Sequence, residues 1–407
     1  MKNLNSEQKH LMDFIAQLED QMISLTRQVA NINSGSHNLA GLNKVHDFFD
    51  NLFSDVCDSQ TRIPLSPIRK MNNEGVVVEN KTVEASLYCI NPNAPVKILC
   101  TGHTDTVFPE DCDFQSTWIE GNHLRGPGVA DMKGGLIVLY HAIKAIHQST
   151  FAKDIGFFVL LSPDEEIGSP VSAEYLTKFA KEADVGMVYE PALEDGTLAG
   201  VRKGSGNFSL SFKGHATHAG RNFFEGKNAL VAAAEAALAL SNLSNEEDGV
   251  SVNIGKIIGG GPVNIVPDSA VIHFNFRVKN TEQQQHLETD IQTIMNQVEG
   301  KTGCQLTLSG HFNRPPKPMT PRQEKLFETL KSCAAELSLN IQWRATGGCC
   351  EGNNLAAAGL PNIDTLGVRG GAIHSADEFA CLDSFVERAQ LSALFMSDIH
   401  RFVSEEK

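Results

Sequence analysis

Two adjacent carboxylates, Glu165 and Glu166, stand in LLSPDEEIGS behind an apolar run that ends at Ser162. Neighbouring carboxylates at a strand-to-loop junction point in different directions, so one can ligate a metal ion while the other faces the water that the ion activates. Side by side they also raise each other's pKa unless a cation intervenes. A solvated acidic turn is the plain alternative, so the pair must be weighed with its companions. His103 and Asp105, in TGHTDTV, share a strand end at i, i+2 spacing. His103 can then bind metal while Asp105 fixes its ring. Asp131 lies in RGPGVADMKGG, a Gly- and Pro-tightened loop where a carboxylate could either bridge two cations or cap the following helix. Glu190 closes VGMVYE, where burial without a partner would be costly. His374 lies in the Gly-rich RGGAIHSADE. Two His, one Asp and two Glu as ligands, with one Glu left free and no thiolate, suit Zn²⁺ and would accommodate Co²⁺ or Mn²⁺.

The elements that must position these residues follow from periodicity. VKILCTG (96–102), IGFFVLLS (155–162) and VGMVYE (185–190) are short apolar runs bounded by turn residues, and IDTLGV (363–368) reads as a fourth. Such runs are buried strands. GGLIVLYHAIKAIHQ (134–148) between the first two is apolar on most faces and long enough for a helix. Strands alternating with helices predict an α/β fold, a mixed but mostly parallel sheet with helices on both faces. From about Asn207 the pattern changes to half-buried alternation at 207–214 and 269–278. With helices at 227–244 and 281–300 and further strands at 251–258 and 304–310, the order is the split βαβ, ferredoxin-like α+β module. The Pro-rich RPPKPMTP (314–321) reads as a linker. A discontinuous domain of 1–202 and 315–407 interrupted by 203–314 is the expected organisation.

Composition narrows the class. In 407 residues, 34 basic against 49 acidic side chains give a formal charge of −15, which disfavours nucleic acid as a partner. No run approaches the roughly 18–20 apolar residues that span a bilayer, so no membrane partner is expected. MKNLNSEQKHLMDFIAQLEDQ reads as a polar-capped amphipathic helix rather than a secretory signal. Nine irregularly spaced cysteines fit a reducing compartment, and the cytoplasm is the expected location.

The ordered runs TGHTDTV, GPGVADMKGG, SPDEEIGS, YEPA and GAIHSADEF, together with KGHATHAG and GGGPVNIVPDSAVIHFNFR, resemble the M20 zinc metallopeptidases, nearest their glutamate carboxypeptidase branch. The resemblance implies an aminopeptidase-like catalytic domain with two Zn²⁺ per subunit. Asp131 would bridge them, His103 and Glu190 would hold one, and Glu166 and His374 the other. Glu165 would be the general base and Asp105 the partner of His103. It also implies a cis peptide after Asp131, and an inserted domain serving as lid and homodimer contact. His218 would stabilise the oxyanion, often across the dimer, while Asn264 and Arg277, with Arg314 as a further candidate, would hold the substrate's carboxylate side. An Arg suits that task through its bidentate fork.

One departure touches substrate identity: TGGCCEGNN (346–354) stands where relatives carry a Gly, Ser or Thr, then Asp run before a helix. Glu351 and Asn353 are expected to serve that helix's N-terminus. The function implied is a dizinc amidohydrolase cleaving an amide beside a free carboxylate, as a carboxypeptidase releasing a glutamate-like residue. The alternatives are an N-acyl amino acid deacylase and, remotely, a non-catalytic binding dimer.

Overall fold

Three strands lie where the apolar runs predict them: Val96–His103, Ile155–Ser162 and Val185–Val188. In this computed structural model, which describes residues 4–406, they run parallel in a six-stranded sheet. Asn362–Ile363 adds in parallel beyond Val185–Val188. Ala85–Ile90 and Ser59–Ile63 extend the other edge antiparallel. The sheet is therefore mixed, with the parallel part at its centre.

Alternate residues of these strands enter different cores. Ile98, Cys100, Phe157, Val159 and Leu161 face a cluster built on Leu136, Ile143, Leu394 and Phe395 of the helices Lys133–His147 and Ser384–Glu406. Leu99, Phe158 and Leu160 face Leu176, Phe179 and Leu355 of the shorter helices Ala173–Ala180 and Glu351–Ala357. Helices cover both faces, and each fully buried Leu or Ile contributes about 1.5–3 kcal/mol. The N-terminal helix Ser6–Ala16 starts at Asn5 with a reciprocal capping box to Gln8, while residues 1–3 of the predicted amphipathic segment lie outside the described residues.

The helix Lys133–His147 begins immediately after the Asp131 loop and is pressed against the strand ends. A Cβ at Gly134 would lie 2.2 Å from the Val129 carbonyl, and one at Gly135 2.1 Å from that of Tyr189. The two glycines of MKGG thus let the helix N-terminus approach the site.

A second, five-stranded sheet runs in the order Ala192–Leu193, Arg369–Gly371, Phe379–Cys381, His123–Arg125 and Trp118–Glu120. Its strands are too short to read from periodicity, yet the loops leaving His123–Arg125 and Arg369–Gly371 carry Asp131 and His374.

Gly204–Lys213, Ser251–Gly259, Ser269–Val278 and Gln305–Arg314 form a four-stranded antiparallel sheet. The first strand lies between the last and the third, with the second at the edge, as a split βαβ module requires. Helices Ala229–Ser241 and Thr281–Thr302 pack with it around Phe208, Phe274, Phe276 and Phe312.

Two expectations need correction. Of 363–368 only Ile363 is in a strand: Thr365 adopts φ +62°, and Leu366 and Gly367 instead donate to the carbonyls of Val188 and Glu190. Nor is 314–321 a loose linker. Lys317 and Arg202 exchange backbone hydrogen bonds of 3.0 and 3.1 Å, and both side chains are buried on Asp364. The chain's exit to the four-stranded sheet and its return are thereby tied side by side.

Candidate functional site

His103 ends its strand buried, and its ring orientation is set by one hydrogen bond. Nδ1 donates to the Asp105 carbonyl at 2.9 Å, an acceptor that leaves Nε2 turned outward. Nε2 faces Asp131 Oδ1 at 3.1 Å and Glu190 Oε1 at 3.8 Å. The other oxygen of Asp131 lies 3.3 Å from His374 Nε2, which is also 3.2 Å from Glu166 Oε2. One buried carboxylate thus stands between two histidines, each with its own glutamate. All five residues proposed as ligands from the sequence come together. Glu190 reaches the site from two residues beyond the end of its strand at Val188.

The electrostatics are those of crowded anions. Burial, then the charge of Asp131, pushes Glu166 up to about 8 and Glu190 well above the usual carboxylate range. Burial would raise Asp131 too, but the imidazoles of His103 and His374 hold it below that range. Hydrogen bonds to Asp131 and Glu166 push His374 up to about 10. Nitrogen and oxygen donors gathered this closely, with each histidine Nε2 facing carboxylate oxygens, fit a pair of divalent cations. His103, Asp131 and Glu166 offer donor atoms all within 4.8 Å of one another, as do His103, Glu165 and Glu190.

Asp105 does more than the spacing implied. Its Oδ1 is 3.4 Å from His103 Nδ1, and its carboxylate accepts from the backbone N–H groups of Glu165 and Glu166 at 3.1 and 3.2 Å and from Ser36 Oγ at 2.7 Å. It therefore clamps the Glu165–Glu166 turn to the strand that carries His103. Glu165 is held from the other side by Arg314, whose Nη2 is 2.5 Å from Oε1 and whose Nη1 is 2.6 Å from Asn354 Oδ1. The buried Arg314 guanidinium is thus engaged with the carboxylate proposed as the base.

Glu378 was not singled out in the sequence. Buried, it accepts from the N–H groups of Ala130 and Asp131 at 3.0 Å and of Gly128 at 3.2 Å, fixing the loop that presents Asp131. The peptide from Asp131 to Met132 is cis. The only signal for Glu378 was its place in HSADEF, four residues after His374.

Of the residues proposed for the substrate, only Arg314 is joined to the site, through Glu165. His218 is exposed, accepts at Nδ1 from its own loop's Gly220 N–H at 3.0 Å, and pairs by backbone with Ile265 beside Asn264. No hydrogen bond or ion pair among the described residues joins His218 or Asn264 to the five clustered side chains. Arg277 reaches the TGGCCEGNN loop, with Nη1 3.1 Å from Cys349 Sγ and 3.4 Å from the Gly347 carbonyl. In that loop the expectation for Glu351 fails. Cys350 and Asn353 cap the helix reciprocally, so Glu351 turns inward, fully buried, to accept from Ser162 Oγ. Burial pushes its carboxyl up to about 7.

Residues 99–398 match the peptidase family M20/M25/M40. The chain belongs to that family. This M20 hydrolase is 25% identical over 386 residues to carboxypeptidase G2 of Pseudomonas sp. (strain RS-16), which covers 93% of the chain and 89% of the relative. It is 30% identical over 307 residues to a succinyl-diaminopimelate desuccinylase of Cupriavidus taiwanensis, covering 69% of the chain and 76% of the relative. Its fold is shared with an M20 family metallo-carboxypeptidase from Sulfolobus solfataricus, at a TM-score of 0.69 and 15% identity over 97% of this chain and 99% of that one. M20 peptidases are metal-dependent, and this M20 hydrolase carries the matching groups of donors. Among the described residues, no helix is long and apolar enough to cross a membrane.

Proposed function

We propose that this M20 hydrolase is a dimetal amidohydrolase that cleaves an amide beside a free α-carboxylate, acting as a carboxypeptidase that releases a glutamate-like residue. The observation that carries the reading is Asp131, with its two oxygens 3.1 and 3.3 Å from the histidines of two half-sites. His103 and Glu190 would hold one Zn²⁺, and Glu166 and His374 the other, with Asp131 shared. Co²⁺ or Mn²⁺ suits the same donors. Such ions supply Lewis acidity and lower the pKa of water to about 7.

The chain's own residues do the rest. Glu165 accepts the proton of the attacking water and returns it to the leaving amine. Asp105 holds the Glu165–Glu166 turn in register with His103. Arg277 and Asn264 hold the substrate carboxylate, with Arg314, engaged with Glu165, as a further candidate.

His218 acts on the oxyanion from a second subunit, a role supported by its exposure and by the lack, among the described residues, of a hydrogen bond or ion pair to its own chain's cluster. Residues 203–314 form the lid and dimer unit, and 1–202 with 315–407 the catalytic unit. The face available for pairing is apolar, with Val231 and Leu238 of the helix Ala229–Ser241 50% and 68% exposed and Ile257 exposed on the edge strand. A monomeric mass by light scattering at micromolar concentration would reject the dimer. Nine free cysteines suit the reducing cytoplasm as its location.

Likeness to carboxypeptidase G2 over almost the whole chain supports the carboxypeptidase reading. The higher identity to a desuccinylase over a shorter span favours the second reading, an N-acyl amino acid deacylase. Amino-acid release from C-terminal-glutamate dipeptides, aroyl-glutamates and N-acyl amino acids separates them. Preferential release of glutamate from the first two supports the carboxypeptidase. Preference for small acyl groups supports the deacylase, and no release from any of them would favour a binding dimer.

A further inference from the structure

A second group of donors lies on the five-stranded sheet, outside the site described above. His123 and Cys381 face each other as direct partners across antiparallel strands, and Glu194 closes over them from the turn after Ala192–Leu193. The His123, Glu194 and Cys381 donor atoms all lie within 4.8 Å of one another. Cross-strand pairing fixes two of the three on a rigid frame, and the His123 ring is further held by stacking on Phe379 at 4.2 Å.

None of these donor atoms makes a hydrogen bond among the described residues, and the one contact between them is the 3.9 Å pairing of His123 with Glu194. The Cys381 thiol is buried, at 2% exposure, and makes no hydrogen bond among the described residues. The His123 ring nitrogens make none either, the nearest carboxylate oxygen being that of Glu194 at 3.9 Å. The neighbouring cation Arg369 is committed to Asp383 at 2.8 Å and Glu387 at 3.2 Å, and it meets Glu194 at the backbone carbonyl. A nitrogen, a sulfur and a carboxylate oxygen thus converge with no hydrogen bond among the described residues to occupy them.

We infer that His123, Glu194 and Cys381 form a separate site for a thiophilic divalent cation of the Zn²⁺ class, with water completing a tetrahedral set. Tetrahedral Zn²⁺ with bonds of about 2.0–2.3 Å places its donors about 3.5 Å apart, within reach of the observed separations by a small movement of the exposed Glu194 side chain. Binding transfers the thiol proton to solvent and leaves a thiolate on the ion. The ion would pin together three segments of one sheet. Two of them continue into the catalytic loops, His123–Arg125 into the Asp131 loop and Phe379–Cys381 back to Glu378 and His374. Its role is to brace those loops rather than to take part in hydrolysis.

The test exploits sulfur, because the five ligands proposed at the dimetal centre are nitrogen and oxygen donors. Metal-stripped full-length protein is titrated with Co²⁺ while near-ultraviolet thiolate-to-cobalt charge-transfer absorption is followed. We expect that absorption in the wild-type protein, its loss in Cys381→Ser, at least about a tenfold weaker Co²⁺ affinity for it in His123→Ala, and its retention in Cys349→Ser. His123→Ala changes a partly exposed side chain and keeps the answer available where Cys381→Ser fails to fold. Absence of thiolate absorption in the wild type, or absorption kept in both Cys381→Ser and His123→Ala, overturns the site. Because the readout is independent of hydrolysis, failure here leaves the dimetal reading untouched.

Discussion

Arg314 Nη2 lies 2.5 Å from Glu165 Oε1, and the same guanidinium reaches Asn354 Oδ1 at 2.6 Å. The carboxylate proposed as the base is thus aimed by a buried cation that is itself anchored on Asn354, the last residue of TGGCCEGNN, in the helix Glu351–Ala357. The altered loop and the catalytic turn are mechanically connected. If Arg314 positions Glu165, Arg314→Lys keeps a charge but loses the planar fork. Steady-state kinetics should then show kcat reduced about tenfold to a hundredfold with KM changed much less. A raised KM with unchanged kcat would assign Arg314 to substrate binding alone.

Metal removal should destabilise the protein, and more so in alkali. In the metal-free protein, burial and then Asp131 raise Glu166 to about 8 and Glu190 well above its ordinary value. A carboxyl whose folded pKa is raised contributes stability that is full below its unfolded pKa and is lost as pH rises through the folded one. Cations relieve that repulsion. The gap in melting temperature between loaded and chelator-treated protein should therefore widen from about pH 6 to about pH 9. A gap that stays constant or narrows would contradict the site's crowded-anion character.

Asp364 carries a structural load outside the five clustered side chains. It receives Arg202 at 2.9 and 3.0 Å and Lys317 at 2.8 Å, all three being buried. Burial alone would raise its carboxyl, but the two cations bring it down to about 2. Replacing it with Ala leaves two buried charges uncompensated, at a cost of about 3–5 kcal/mol by urea unfolding at neutral pH. Because its folded pKa is depressed, that contribution is present above the unfolded value and lost as pH falls toward 2. The difference between wild type and variant should shrink over that range, and a pH-independent difference would mean that charge is not the cause.

What could be read beforehand depended on how local each determinant is. Ile155–Ser162 is buried along its whole length, so its continuous apolar run identified it. Trp118–Glu120, His123–Arg125, Arg369–Gly371 and Phe379–Cys381 have only three residues each, too few to show a period, and the sheet that carries Asp131 and His374 was invisible. His103 and Glu166 stand in motifs whose residue types advertise ligation. The pairing of Glu165 with Arg314 spans 149 positions, and the hold of Glu378 on the Asp131 loop spans 247, so neither leaves a local trace. Glu351 shows the opposite error. A carboxylate at a helix start reads as a cap, but Cys350 and Asn353 already satisfy that end, which frees Glu351 to turn toward Ser162.

The most direct test of the account pairs hydrolysis with metal content in Glu165→Ala. Glu165 is proposed to move protons and not to hold metal, so the variant should keep the wild-type metal content while kcat falls by about 10²–10⁴-fold or more. Retention of most of the activity with an intact metal complement would contradict the central claim, and loss of metal along with activity would move Glu165 among the ligands.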